Sequence, residues 1–126
     1  MKRTIGMIAL CAAFLACSSP AQAARPPKAT LKIIIAVKDQ PARGATLHCN
    51  PDGGNHPNPK AACDLLRQVG GDLNKIHVPK NAACGNEVEP YVVVITGQWH
   101  GKKVRWDKGY RNGCAMKAAG GKLLSS

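Results

Sequence analysis

His48, Cys49, His56 and Cys63 are the side chains of this 126-residue sequence most suggestive of a metal site. Zinc ligands usually come as closely spaced pairs such as Cys-x2-Cys, and no such pair occurs among them. We therefore read the cysteines as disulfide partners and the histidines as incidental, with His56-Pro57 ordering the loop between Cys49 and Cys63. No metal and no cofactor is expected. A cysteine nucleophile would need an unpaired thiol beside a histidine. Once Cys11 and Cys17 are assigned to a leader, Cys49, Cys63, Cys84 and Cys114 remain, an even set that leaves no thiol spare. Beyond that leader the only serines are Ser125 and Ser126, which removes a serine triad. Asp72 and Asp107 are isolated carboxylates of the kind that cap turns or face water, and neither a phosphate loop nor a dinucleotide fingerprint is present. The chain is not expected to be an enzyme.

Recognition is a better fit than catalysis for one remaining stretch, Cys84-Gly85-Asn86-Glu87-Val88-Glu89-Pro90. It starts at a cysteine, ends at a proline, and holds the only glutamates of the chain, Glu87 and Glu89. Nothing in it suits a core. We read it as an exposed, extended loop pinned at its entrance by a disulfide, with the rest of the chain as its support. A second recognition surface is suggested by Lys102, Lys103, Arg105, Trp106 and Lys108, because basic residues beside an aromatic can grip phosphate and stack bases. Trp99 and Trp106 are read instead as packing the sheet while the lysines face water, and no nucleic-acid partner is expected.

The elements that must hold the loop follow in chain order. Met1-Lys2-Arg3, the apolar run from Ile5 to Cys17, and Ala21-Gln22-Ala23 have the pattern of a secretory signal peptide. Cleavage after Ala23 would leave a single domain, residues 24–126, secreted or periplasmic. The alternative is a lipoprotein signal ending at Cys17, whose preceding Phe14-Leu15-Ala16 fits such a signal poorly. No other segment approaches the ~20 apolar residues of a membrane span, so none is expected. Cysteines in an exported domain imply disulfides, with three pairings of the four open. The formal net charge of +11 favours acidic partners or an anionic surface, although the basic residues are scattered.

Alternation of Leu31, Ile33, Ile35 and Val37 predicts a strand over 30–38, and Gly44 to Cys49 a second. Asn50 to Asn58 is rich in turn residues. Asn58-Pro59 then opens a helix whose apolar face is Ala62, Leu65, Leu66 and Val69, closed by Gly70-Gly71. Asp72 to Ala83 reads as irregular. Tyr91 to Thr96 and Lys103 to Trp106 are strands, forming a hairpin through Gly97–Gly101. Asn112 to Ala119 is a short helix, and the tail from Lys122 to Ser126 could supply a further strand. The fold class is α+β: an antiparallel sheet of about five strands, two short helices and two disulfides.

Thr46-Leu47-His48-Cys49-Asn50-Pro51, Gly54-Asn55-His56-Pro57-Asn58-Pro59, Ala62-Cys63-Asp64-Leu65, Val69 to Asn74, Glu89-Pro90, Gly97 to Val104 and Asn112-Gly113-Cys114 together resemble the subtilisin inhibitor-like proteins. The resemblance runs through nearly all of residues 24–126. It implies the pairings Cys49–Cys63 and Cys84–Cys114, a sheet-mediated homodimer, and a serine endopeptidase of the subtilisin type as partner. It further implies that the loop enters a protease cleft as a substrate would, with Asn86–Glu87 as the scissile bond. Cys84 would then anchor the third residue before that bond, and Asn86 would fill the specificity pocket. Gly85 and Cys84 would pair with the enzyme as an edge strand.

At four places the chain departs from the family's habit. The family usually has a large residue where this chain has Asn86, a less flexible one at Gly85, and an apolar one at Glu87. The tail also lacks the family's closing phenylalanine. A second reading of the same scaffold is therefore a non-inhibitory binding protein that grips acidic envelope or protein partners through its basic surface.

Overall fold

The computed structural model describes residues 25–76 and 83–125 of the chain. The expected leader with its cleavage and lipidation sites, and most of the irregular stretch before Ala83, lie outside these residues. Strand β1 (Ala29–Val37) is flanked by β2 (Arg43–Cys49) and β4 (Tyr91–Trp99). A two-residue strand β3 (Gly53–Gly54) and the long β5 (Lys102–Tyr110) form the edges, giving an antiparallel order β3-β2-β1-β4-β5. Helices α1 (Pro59–Gln68) and α2 (Gly113–Gly120) complete the α+β fold.

The period-two pattern of the sequence becomes a one-sided sheet. Leu31, Ile33, Val37, Leu47, Val93, Ile95 and Trp99 are buried on one face, where Leu66 of α1 and Met116 of α2 pack against them. Registration explains the match, since Leu31 lies opposite Leu47 and Ile33 opposite Ile95, so large side chains stack in rows. Ile34, Ala36, Val92 and Val94 point to the other face, on which no described helix packs. Val92 is 45% exposed there. Trp99 is core, and Trp106, half-buried on the core side, donates its indole N–H to Asn74 Oδ1 at 3.1 Å. Both tryptophans therefore serve packing, as expected.

Four local expectations need correction. The hairpin has no five-residue loop. β4 and β5 run on to a two-residue turn, His100 (φ 47°) and Gly101 (φ 85°), whose paired left-handed conformations suit the twist of the strands. The tail is not a strand but a 3-10 turn over Gly121–Leu123, because Leu123 and Leu124 are both buried and consecutive buried positions cannot alternate across a sheet. The fifth strand is instead the short Gly53–Gly54. Asn58 occupies the N-cap of α1 without a side-chain capping bond, and Lys28, ahead of the strand expected over 30–38, is already tied to Asn50 and His100 through its backbone.

His56 replaces the missing cap. Its Nδ1 accepts the Asn58 N–H at 2.9 Å, which leaves the ring proton on Nε2 to be donated to the Leu123 carbonyl at 2.8 Å. A buried neutral imidazole thus joins the start of α1 to the C-terminal turn. At the opposite end of α1, Arg67 forks onto Asp52 at 2.8 and 3.0 Å and also bonds Asp64 and Asn50. Its guanidinium holds both carboxyls below their ordinary range, chiefly by direct hydrogen bonding. This cluster fixes the Asn50–Gly54 loop, at the end of the sheet remote from residues 84–90. His56→Ala strips a partner from one buried and one part-buried backbone group and should lower stability by about 2–3 kcal/mol, read as a reduced urea midpoint at unchanged slope.

Candidate functional site

The loop Cys84–Pro90 has neither helical nor strand structure, and every residue in it except the half-buried Cys84 is exposed. Val88 at its tip is 76% exposed, the most exposed large apolar side chain described. Such a segment would ordinarily wander, because each ordered residue costs about 1–2 kcal/mol of backbone entropy. Three kinds of tether oppose that cost. The first is covalent: Cys84 is bridged to Cys114 at the start of α2, with Cα atoms 5.6 Å apart. The second is a backbone bond from the Glu89 N–H to the Arg111 carbonyl at 2.9 Å, which ties the loop's exit to the end of β5.

The third tether is the side chain of Asn112. It is 5% exposed, and its single amide nitrogen donates to the Gly85 carbonyl at 3.2 Å and to the Glu87 carbonyl at 2.9 Å. Its oxygen meanwhile accepts the Ala115 N–H at 2.8 Å and so caps α2. One amide group thus supports the loop from beneath and starts the helix that carries the loop's disulfide. Asn112 can sit this deep because α2 begins with Gly113: a Cβ there would meet the Tyr91 ring at 3.1 Å. Tyr91 opens β4 directly after Pro90, so strand, helix start and loop converge at one point.

Asn86 stands between the two held carbonyls. Its side chain is exposed and reached by the Arg111 guanidinium at a long 3.4 Å. Glu87 folds back so that its carboxylate lies 3.1 Å from where a Cβ on Gly85 would be. That contact is with the far end of a flexible side chain, and Gly85 has an ordinary φ, so the backbone does not require glycine there.

The second disulfide, Cys49–Cys63, joins β2 to α1 across the Asn50–Asn58 loop. Its cysteines form the only described cluster of metal-ligating type, with Asp52, but their sulfurs are consumed in the bridge. His48 and His56 are not brought together: His48 lies on the uncovered sheet face and His56 in the core. Sequence reasoning finds the loop and a two-disulfide framework, the resemblance supplies the two pairings observed, and Asn112 is missed as a support. The available signal is a helix-capping asparagine two residues before the loop's cysteine partner. Asn112→Ala removes the amide while leaving both disulfides. It should cost about 2–3 kcal/mol and raise hydrogen exchange at Ala115 and along residues 85–89.

The family model for subtilisin inhibitor-like proteins matches residues 29–112. The chain is 37% identical over 86 residues to Subtilisin inhibitor-like protein 5 of Streptomyces fradiae, covering 68% of this chain and 80% of that one. It is 36% identical over 86 residues to Trypsin inhibitor STI2 of Streptomyces longisporus, covering 68% of this chain and 60% of that one. Among solved structures it is similar to Streptomyces caespitosus sermetstatin in complex with Bacillus licheniformis subtilisin. The TM-score is 0.63 at 26% identity, over 76% of this chain and 94% of that chain.

Proposed function

The chain belongs to the subtilisin inhibitor-like family, and on that premise we propose that it inhibits a serine endopeptidase by presenting Asn86–Glu87 as a substrate-like scissile bond. The observation that carries this reading is the Asn112 bridge to the carbonyls of Gly85 and Glu87. In an extended segment successive residues face opposite sides. Fixing residues 85 and 87 toward the scaffold therefore turns the Asn86 carbonyl outward, where a nucleophile can reach it. If the bond is cut, the disulfide to Cys114, Asn112 and the Glu89–Arg111 bond keep both new ends in place. Departure is slow and religation competes with it. The same tethers lower the entropy lost on binding.

Asn86 would occupy the specificity pocket, Gly85 and Cys84 the preceding subsites, and Glu87, Val88 and Glu89 the following ones. Asparagine buries little apolar area in a pocket shaped for a large residue, and Glu87 carries charge into the cleft. Inhibition of enzymes with deep apolar pockets should be weak in the wild type and much stronger in Asn86→Met. Titrating subtilisin, trypsin and chymotrypsin with the oxidised domain and with this variant tests the reading. Stoichiometric inhibition by either form supports the loop assignment, and no inhibition of any enzyme by both forms removes it.

We further propose that the protein acts outside the cytoplasm after removal of residues 1–23, a reading supported by two disulfides and by the charged, apolar and small-residue pattern of the leader. Among the described residues no helix is long and apolar enough to cross a membrane. The uncovered sheet face, with Ile34 beside Val94 and Ala36 beside Val92, supports a homodimer in which two such faces meet. A charge at its centre, Val94→Glu, should convert a dimer to a monomer in light scattering while leaving the circular dichroism spectrum unchanged. A wild type that is already monomeric at micromolar concentration would refute the dimer.

A further inference from the structure

Asn112 and Gly113 are each fixed by a separate structural need, and together they form the one Asn-Gly dipeptide in the chain. Asparagine is needed at 112 because the position must both donate to the loop and accept from the helix. Glycine is favoured at 113 because the Tyr91 ring would crowd a Cβ there. The pairing has a chemical consequence. A glycine nitrogen is unshielded by its own side chain and is the least hindered nucleophile that can follow an asparagine.

We propose that Asn112–Gly113 is a spontaneous deamidation site, and that its conversion unlatches the loop while sparing the helix it caps. The Gly113 backbone nitrogen adds to the Asn112 side-chain carbonyl carbon. The side-chain nitrogen leaves as ammonia, taking up the proton that Gly113 gives up, and a five-membered succinimide closes. Water then opens the ring at one of its two carbonyls. Attack at the side-chain carbonyl gives aspartate; attack at the backbone carbonyl gives isoaspartate, with the main chain running through the side-chain carbon. One water is consumed and one ammonia released, with no oxidant or reductant.

The products act selectively because the two halves of the amide have different tasks. In the aspartate product the side-chain carboxylate still accepts the Ala115 N–H, and a negative charge is favourable at a helix N-terminus, so α2 keeps its cap. It has no proton for the carbonyls of Gly85 and Glu87. Two attractive contacts become oxygen facing oxygen, with the Glu87 carboxylate also in this loop. The folded state also sets the pace. The asparagine must leave both loop carbonyls before Gly113 can attack, so any partner that holds the loop in place slows the reaction. On the inhibitory reading above, the free protein ages out of function and the engaged one is protected. The chemistry at Asn112 does not depend on that reading.

The test ages the oxidised wild-type protein in mildly alkaline buffer at body temperature, mapping each asparagine by peptide mass spectrometry with isoaspartate detection. Asn112 should convert before Asn50, Asn55, Asn58, Asn74, Asn81 and Asn86. Aged protein and the Asn112→Asp variant should keep the wild-type circular dichroism spectrum. Loss of two hydrogen bonds should make both about thirtyfold more susceptible to cleavage within residues 85–90 by thermolysin, used here only as a probe of loop opening. Conversion of another asparagine ahead of Asn112 would overturn the site. Wild-type resistance to cleavage in both modified forms would overturn the unlatching. Neither readout requires that any protease be inhibited.

Discussion

The amide of Asn112 holds the loop and the start of α2 to one another, beside the disulfide and the Glu89–Arg111 bond that tie the same region. Its nitrogen supports the loop at Gly85 and Glu87, its oxygen starts α2, and two residues later α2 supplies the cysteine that pins the loop's entrance. Each contact alone is of the order of 1 kcal/mol, too little to hold an exposed loop against its backbone entropy. Together with the disulfide they act on neighbouring atoms, so freeing one part loosens the others. The amide is also nearly buried, which strengthens its bonds and makes any substitute that cannot both donate and accept costly.

The rest of the fold makes this arrangement rigid. β4 carries the loop's exit into the centre of the sheet, where Val93 and Ile95 are fully buried beside β1. β5 brings Arg111 and Asn112 alongside, because Tyr110 pairs with Tyr91 at the last rung of the ladder. At the far end the Cys49–Cys63 bridge, the Arg67 cluster and His56 fasten α1 and the C-terminal turn to the same core. Each disulfide contributes about 2–4 kcal/mol by restricting the unfolded chain, a large share of the stability of so small a domain. The described helices cover the sheet on one side only.

How much of this is legible in the sequence depends on the range of the interaction. The strands are clear because Leu31, Ile33 and Val37 repeat with the period of a half-buried strand. The start of α1 is clear because Asn58-Pro59 is a local signal. The tail is open to misreading because Leu123 and Leu124 carry no period, and their burial comes from packing near α1 and the His56 bond across 67 residues of sequence. Asn112 is legible as a cap, which is local, and illegible as a loop support. Its partners Gly85 and Glu87 lie 27 and 25 residues upstream, and only the folded sheet brings them near. The loop itself stands out because it breaks every rule for a core, yet its tethers are all long-range.

The loop's charge runs against that of its carrier. A chain of net charge +11 puts its only two glutamates on either side of the exposed Val88. The overall field draws an acidic partner toward the molecule at long range, where screening leaves only the net charge visible. Glu87 and Glu89 act only at contact, within a few ångströms. A partner satisfying both would be acidic over its wider surface and basic where it meets the side of the loop after Asn86. Neutral Asn86 and the adaptable Gly85 add little apolar area of their own. On the proposed inhibitory reading, discrimination on this loop would rest more on charge placement than on filling a pocket, and charge placement rejects wrong partners more strongly than it rewards the right one.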